Sequence, residues 1–119
     1  MALHFSALSG KASGSARPRV LFCPSSEPEG ASLLRAYNMA EALAARGWQA
    51  ACISPLVRQA GRRRIIKSFA PDLLVFQQCR HPLNAAEHAQ GIPYVLDTDD
   101  ADFYLDIPGL KERLDRTSR

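Results

Sequence analysis

The apolar positions of this chain fall into short continuous runs separated by stretches with helical spacing. Arg19-Val-Leu-Phe-Cys23 is a compact run of β-formers between Pro18 and Pro24, the pattern of a strand buried on both faces. A turn-rich loop follows, Pro24-Ser-Ser-Glu-Pro-Glu-Gly30, in which two prolines forbid a helix. Leu33, Ala36, Tyr37, Ala40, Leu43 and Ala44 then repeat at the period of a helix and predict one apolar stripe. Ser32 is the expected N-cap of this helix and Gly47 its C′ residue. Trp48–Ile53 reads as a second strand and Pro55–Phe69 as a second helix, the latter weakened by Gly61. Pro71-Asp72 ends that helix. Leu73–Phe76 predicts a third strand, Pro82–Ala89 a short helix closed by Gly91, and Ile92–Leu96 a fourth strand. Gly109–Arg119 reads as a frayed helix or a truncation point.

The resulting order is β-α-β-α-β-α-β. Strands alternating with helices are the signature of parallel βαβ units. The expected fold class is therefore α/β, a Rossmann-like open parallel sheet of about four strands with helices on both faces, occupying residues 18–108. A chain of 119 residues with 46% hydrophobic and 23% charged positions suits one such domain. No apolar run has the roughly 18 residues that a membrane span needs.

Residues 1–17 are small and polar and carry no acid, so they read as a disordered tail. A signal peptide would show a basic start and an unbroken apolar stretch of about 7–15 residues. Cys23, Cys52 and Cys79 are odd in number and widely spaced, which fits reduced, buried thiols and a cytoplasmic location. Without a C-x-x-C pair a zinc site is not expected. Cys79 and His81 lie two apart, a spacing that shares a strand face, but no oxyanion device accompanies them.

Charge is unevenly distributed. Residues 1–80 carry 11 Lys/Arg against 4 Asp/Glu, whereas residues 81–119 carry 4 against 8. This asymmetry does not suit a nucleic-acid binder. Arg58, Arg62, Arg63, Arg64 and Lys67 form a basic helical face. Such a face is either solvated or drawn to an anionic membrane surface, peripheral to the inner membrane face.

In an open α/β sheet, ligands bind beyond the carboxyl ends of the strands. The candidate loops are therefore residues 25–32, 77–81 and 97–102. The first leads into a helix N-terminus suited to an anion, yet neither G-x-G-x-x-G nor G-x-x-x-x-G-K-[ST] is present, so no bound nucleotide cofactor is expected. The acidic run Asp97-Thr98-Asp99-Asp100-Ala101-Asp102 is the strongest chemical signal. Two carboxylates about 4 Å apart repel by roughly 4 kcal/mol at an effective dielectric of 20. The run must therefore face water, a cation or hydroxyl-rich substrate. It fails as an EF-hand loop, because Pro108 stands where the bidentate Glu belongs. A solvated turn, an acceptor contact and a metal site all stay open at this point.

Three segments together carry a family resemblance: RVLFCPSSEPEGASLLRAYNMAEALAARGWQA, APDLLVFQQCRHP and GIPYVLDTDDADF. In this order they resemble the N-terminal domain of GT-B glycosyltransferases, in the large retaining family that includes sucrose synthase-like and mannosyl-transferring enzymes. The resemblance implies an acceptor-side domain that works with a separate donor-binding domain or partner subunit, without an essential metal or cofactor. Carried over position by position, Gly30 and Arg35 would flank the first cleft loop. Gln77, Arg80 and His81 would line the loop after the third strand, and Asp97, Asp99 and Asp100 the acidic loop. The donor domain with its paired glutamates is not in the sequence, so this chain alone is not expected to transfer sugar. A stand-alone α/β interaction or ligand-binding module without catalytic activity is the competing expectation.

Overall fold

The computed structural model describes residues 3–5, 17–98 and 107–119. Four parallel strands form the expected sheet: β2 (Arg19–Cys23), β3 (Gln49–Ile53), β4 (Leu73–Gln77) and β5 (Tyr94–Asp97). Within the segment read as a tail, Leu3–Phe5 forms an edge strand, β1, antiparallel to β3. The order across the sheet is β1-β3-β2-β4-β5. β2 pairs with β3 on one side and with β4 on the other, in parallel both times.

The strands alternate their side chains between two cores. Leu21, Cys23, Ala51, Ile53, Leu74 and Phe76 face α2 (Gln59–Phe69), which contributes Ile66 and Phe69. Val20, Phe22, Ala50 and Cys52 face the first helical segment, α1, over residues 30–45, which contributes Ala36, Tyr37 and Ala40. The sheet is thus covered on both faces, as its near-continuous apolar strands require.

The predicted stripe on α1 holds from Ala36 to Ala44 and fails at its start. The helix begins at Gly30 with Glu29 as N-cap, so Ser32 is not the cap. Leu33–Tyr37 is wound as a π-helix. Its wider turn inserts one extra residue and rotates the first turn relative to the rest. Ser32 is consequently buried, while Leu33 and Leu34 are exposed. At the other end Gly47, at φ 89°, is the C′ residue as expected. Its N–H donates to the Ala44 carbonyl and that of Trp48 to Leu43, the bonding of a Schellman motif.

The second helix is shorter than predicted, because Arg58 is extended and α2 starts at Gln59. Gly61 has a packing reason: a Cβ there would lie 2.9 Å from Val57 Cγ1. The segment expected as a helix over residues 82–89 makes only a 3₁₀ turn at Ala86–His88. Its polar contacts, described below, hold it to the sheet without a helix. The final segment is not frayed. Leu110–Thr117 forms α3, and its Leu110, Leu114 and Thr117 are buried. Leu110 and Leu114 pack with Cys79 and Leu96, and Tyr94 Oη donates to the Thr117 carbonyl at 2.7 Å. No helix among the described residues is long and apolar enough to cross a membrane.

Candidate functional site

The neighbours of β2 in the sheet are β3, reached through α1, and β4, reached from β3 through α2. The chain therefore leaves β2 and β4 toward opposite faces. This is the topological switch point, where an open α/β sheet leaves a crevice beyond its strand ends. A crevice of about 490 Å3 lies there, lined by Ser25, Ser26, Glu29, Gly30, Ala31, Ser32, Gln78 and Arg80. Gly30 (φ 51°) and Gln78 (φ 68°) both hold left-handed backbone at its rim. For Gln78 this is an uncommon conformation for a residue with a Cβ.

Gln77 is the buried support of this crevice. Its Oε1 accepts from the Ser25 backbone N–H at 3.0 Å and from the Ser32 hydroxyl at 2.8 Å. The Ser25 hydroxyl donates to the carbonyls of Gln77 (2.6 Å) and Gln78 (3.0 Å). The Ser26 and Ser32 hydroxyls are 2.7 Å apart. The loop after β2 and the start of α1 are thus tied to the end of β4 by neutral hydroxyls and amides. Gln77 Nε2 is buried and has no hydrogen-bond partner.

Asn84 closes the same junction from below. Its Nδ2 donates to the Cys23 carbonyl at 2.8 Å and to the Gln78 carbonyl at 3.0 Å. Its Oδ1 accepts from Arg62 Nη1 at 2.8 Å, and the same nitrogen donates to the Leu83 carbonyl at 3.0 Å. Arg62 is only 2% exposed and therefore does not belong to the basic surface on which the sequence placed it. Its Nε and Nη2 have no partner, and burial pulls its pKa down from the ordinary value. Burial also pushes the Cys23 thiol up to about 11, with Arg62 opposing. Cys23 is thus a neutral, inert thiol.

The remaining predicted residues divide. Arg80 lines the crevice together with Gly30. Arg35 does not flank the loop: it pairs with Asp97, Nη1 to Oδ1 3.0 Å, and both line a neighbouring groove. That groove, about 400 Å3, is mainly apolar and includes Leu34, Met39, Leu73 and Val75. His81 turns away from the crevice. Its Nε2 lies 2.7 Å from the Pro55 carbonyl and its Nδ1 accepts from the Leu83 N–H at 3.1 Å. Those two bonds fix a neutral ring with the proton on Nε2. Burial lowers the pKa of His81 and nearby Arg62 and Arg113 reinforce this, against the Pro55 hydrogen bond. Cys79 lies in the loop beyond β4 and packs on Leu110 and Leu114. Asp99 and Asp100 lie outside the described residues.

Ser25 and Ser32 fall within the candidate loop over residues 25–32, whereas sequence reasoning missed Asn84 and Arg113, whose Nε donates to the Cys79 carbonyl at 2.7 Å. The burial of Arg62 did carry a signal, since it stands with Ile66 and Phe69 at i, i+4 and i+7 on the buried side of α2. Among the described residues no group of three or more His, Cys, Asp or Glu side chains is placed to hold a metal ion.

The crevice can bind through hydroxyls, amides and a guanidinium, and among the described residues its lining includes no His or Cys for nucleophilic chemistry. Among the described lining residues the one carboxylate is Glu29, at the N-cap position of α1. No protein-family model, curated protein or solved structure matches this chain.

Proposed function

We propose that this chain is the acceptor-side domain of a glycosyltransferase: the crevice over β2 and β4 receives a hydroxyl-bearing acceptor, and a separate donor-binding unit brings the nucleotide-sugar. The observation that carries this reading is the crevice lining. Ser25, Ser26, Gly30, Ser32, Gln78 and Arg80 converge at the switch point. Neutral hydroxyls and amides, with the Arg80 guanidinium and the Glu29 carboxylate beside them, suit a polyhydroxylated ligand better than a bare anion. The segment resemblance to GT-B N-terminal domains supplies the reaction class. In this reading Arg80 orients the acceptor, and Gln77 and Asn84 hold the two loops at fixed separation. The three buried cysteines form no disulfide, which fits a reducing compartment and supports the cytoplasm as its location.

The test is ligand-observed NMR of the whole chain with a panel of simple glycosides and, separately, with nucleotide-sugars. The reading expects millimolar glycoside binding that Arg80→Ala weakens, and no hydrolysis or transfer from the nucleotide-sugar. Absence of glycoside binding overturns it.

A second reading, a non-catalytic interaction module, is favoured by the exposure of Leu34, Met39 and Val95. Uncovered apolar surface of this kind marks contact sites. Loss of the glycoside signal with retained partner binding through these residues would establish it instead.

A further inference from the structure

Helix α2 carries cations on its outer side that have no part in the crevice. Ala60, Arg63, Arg64 and Lys67 stand at i, i+3, i+4 and i+7, all exposed, so they share one helical face. With Gln90, from the turn before β5, they enclose a bowl of about 310 Å3. Gln90 holds left-handed backbone at φ 56°, which few residues with a Cβ adopt. Among the described residues, Arg63, Arg64 and Lys67 pair with no acid. The ion pairs there are Arg35–Asp97, Arg116–Glu87 and Arg119–Asp115. Like charges at this spacing on a helix repel one another, so the group is electrostatically incomplete without an anion. Ala60, one turn before the three cations and lining the same bowl, leaves room for a compact one.

We propose that this bowl is a binding site for phosphate groups, with Ala60 as its floor, Arg63, Arg64 and Lys67 as its cationic wall and the Gln90 amide as an uncharged donor. A phosphate presents oxygens on several sides and accepts charge-assisted bonds from both guanidinium and ammonium groups. The same chemistry is offered by a soluble phosphate ester and by the head group of an anionic lipid. The site is independent of the crevice, so failure of one reading leaves the other standing.

The test uses the whole chain. Inorganic pyrophosphate is titrated at low ionic strength while the backbone amides are followed by NMR. Binding to phosphatidylcholine vesicles with and without phosphatidic acid is measured by co-sedimentation. Saturable shifts confined to residues 60–67 and 90 support the site. Vesicle binding without a pyrophosphate response assigns it to a lipid head group; the reverse assigns it to a soluble ester. No response to either overturns it. Each cation at an anionic surface is worth about fivefold, so the triple variant Arg63→Gln, Arg64→Gln, Lys67→Gln is expected to lose about a hundredfold in affinity. The charge-matched control Arg46→Gln, Lys111→Gln, Arg119→Gln is expected to stay near the parent. Ala60→Phe fills the bowl and retains every charge, and it should abolish binding. Equal loss in the control, or an unaffected Ala60→Phe, reduces the effect to diffuse charge and overturns the site.

Discussion

Asn84 receives a hydrogen bond from the buried guanidinium of Arg62 at 2.8 Å while donating to the backbone of both strands that flank the crevice. One side chain thus couples a helix on one face of the sheet to the loops that shape the candidate site. Asn84→Ala should remove these bonds, leaving the Cys23 carbonyl short of a donor and the buried Arg62 Nη1 short of an acceptor. A loss of about 3 kcal/mol is expected, because buried polar groups left unpaired cost about 1–3 kcal/mol each. Arg62→Met should cost less, within about 1 kcal/mol of the parent, because it also removes a buried charge with incomplete pairing. Urea denaturation of the two variants checks the ordering. The reverse order would mean that Arg62, not Asn84, carries the junction.

His81 gives the junction a pH dependence. Its neutral form holds both the Pro55 carbonyl and the Leu83 N–H, and its native pKa lies below the ordinary 6.5. The unfolded chain therefore binds a proton at a higher pH than the native one. Stability from this residue is complete above pH 6.5 and falls as pH drops from there toward the lowered native pKa. Urea midpoints measured across that window should decline in the parent and decline less in His81→Gln.

Gly61→Ala sets two effects against each other. Alanine favours a helix over glycine by about 1 kcal/mol, but its Cβ would press on Val57 Cγ1 at 2.9 Å. Overpacking of this kind costs about 1–3 kcal/mol. A net loss is expected in thermal denaturation, with recovery in the double variant Gly61→Ala, Val57→Ala.

The apolar groove beside Arg35 and Asp97 should be detectable in solution. Leu34 and Met39, which line it, are 66% and 48% exposed. The native chain is expected to bind a fluorescent apolar dye. Leu34→Gln with Met39→Gln should reduce that signal and change stability by no more than about 0.5 kcal/mol.

The continuous apolar runs and the helical spacing between them made the parallel sheet legible, because burial on both faces leaves few polar residues in the strands. The end of the first helix was equally legible from Gly47. Its beginning was not: a π turn re-phases the stripe, and nothing at Leu33–Tyr37 distinguishes it from α-helix. Arg62 was misread as surface because its neighbours Arg63 and Arg64 are exposed, although its own spacing to Ile66 and Phe69 points inward. At the site, Gly30 and Arg80 followed from their positions after strands. The role of Asn84 and the bond from Ser32 to Gln77 did not, because these bonds run to residues 61 and 45 positions away and leave no local trace.

The most direct test of the acceptor-domain account is an NMR titration of the whole chain with a simple glycoside, following backbone amides. The account expects saturable shifts centred on residues 25–32, 78 and 80, lost in Arg80→Ala. Shifts confined to the groove around Leu34 and Val75, or none at all, would contradict it.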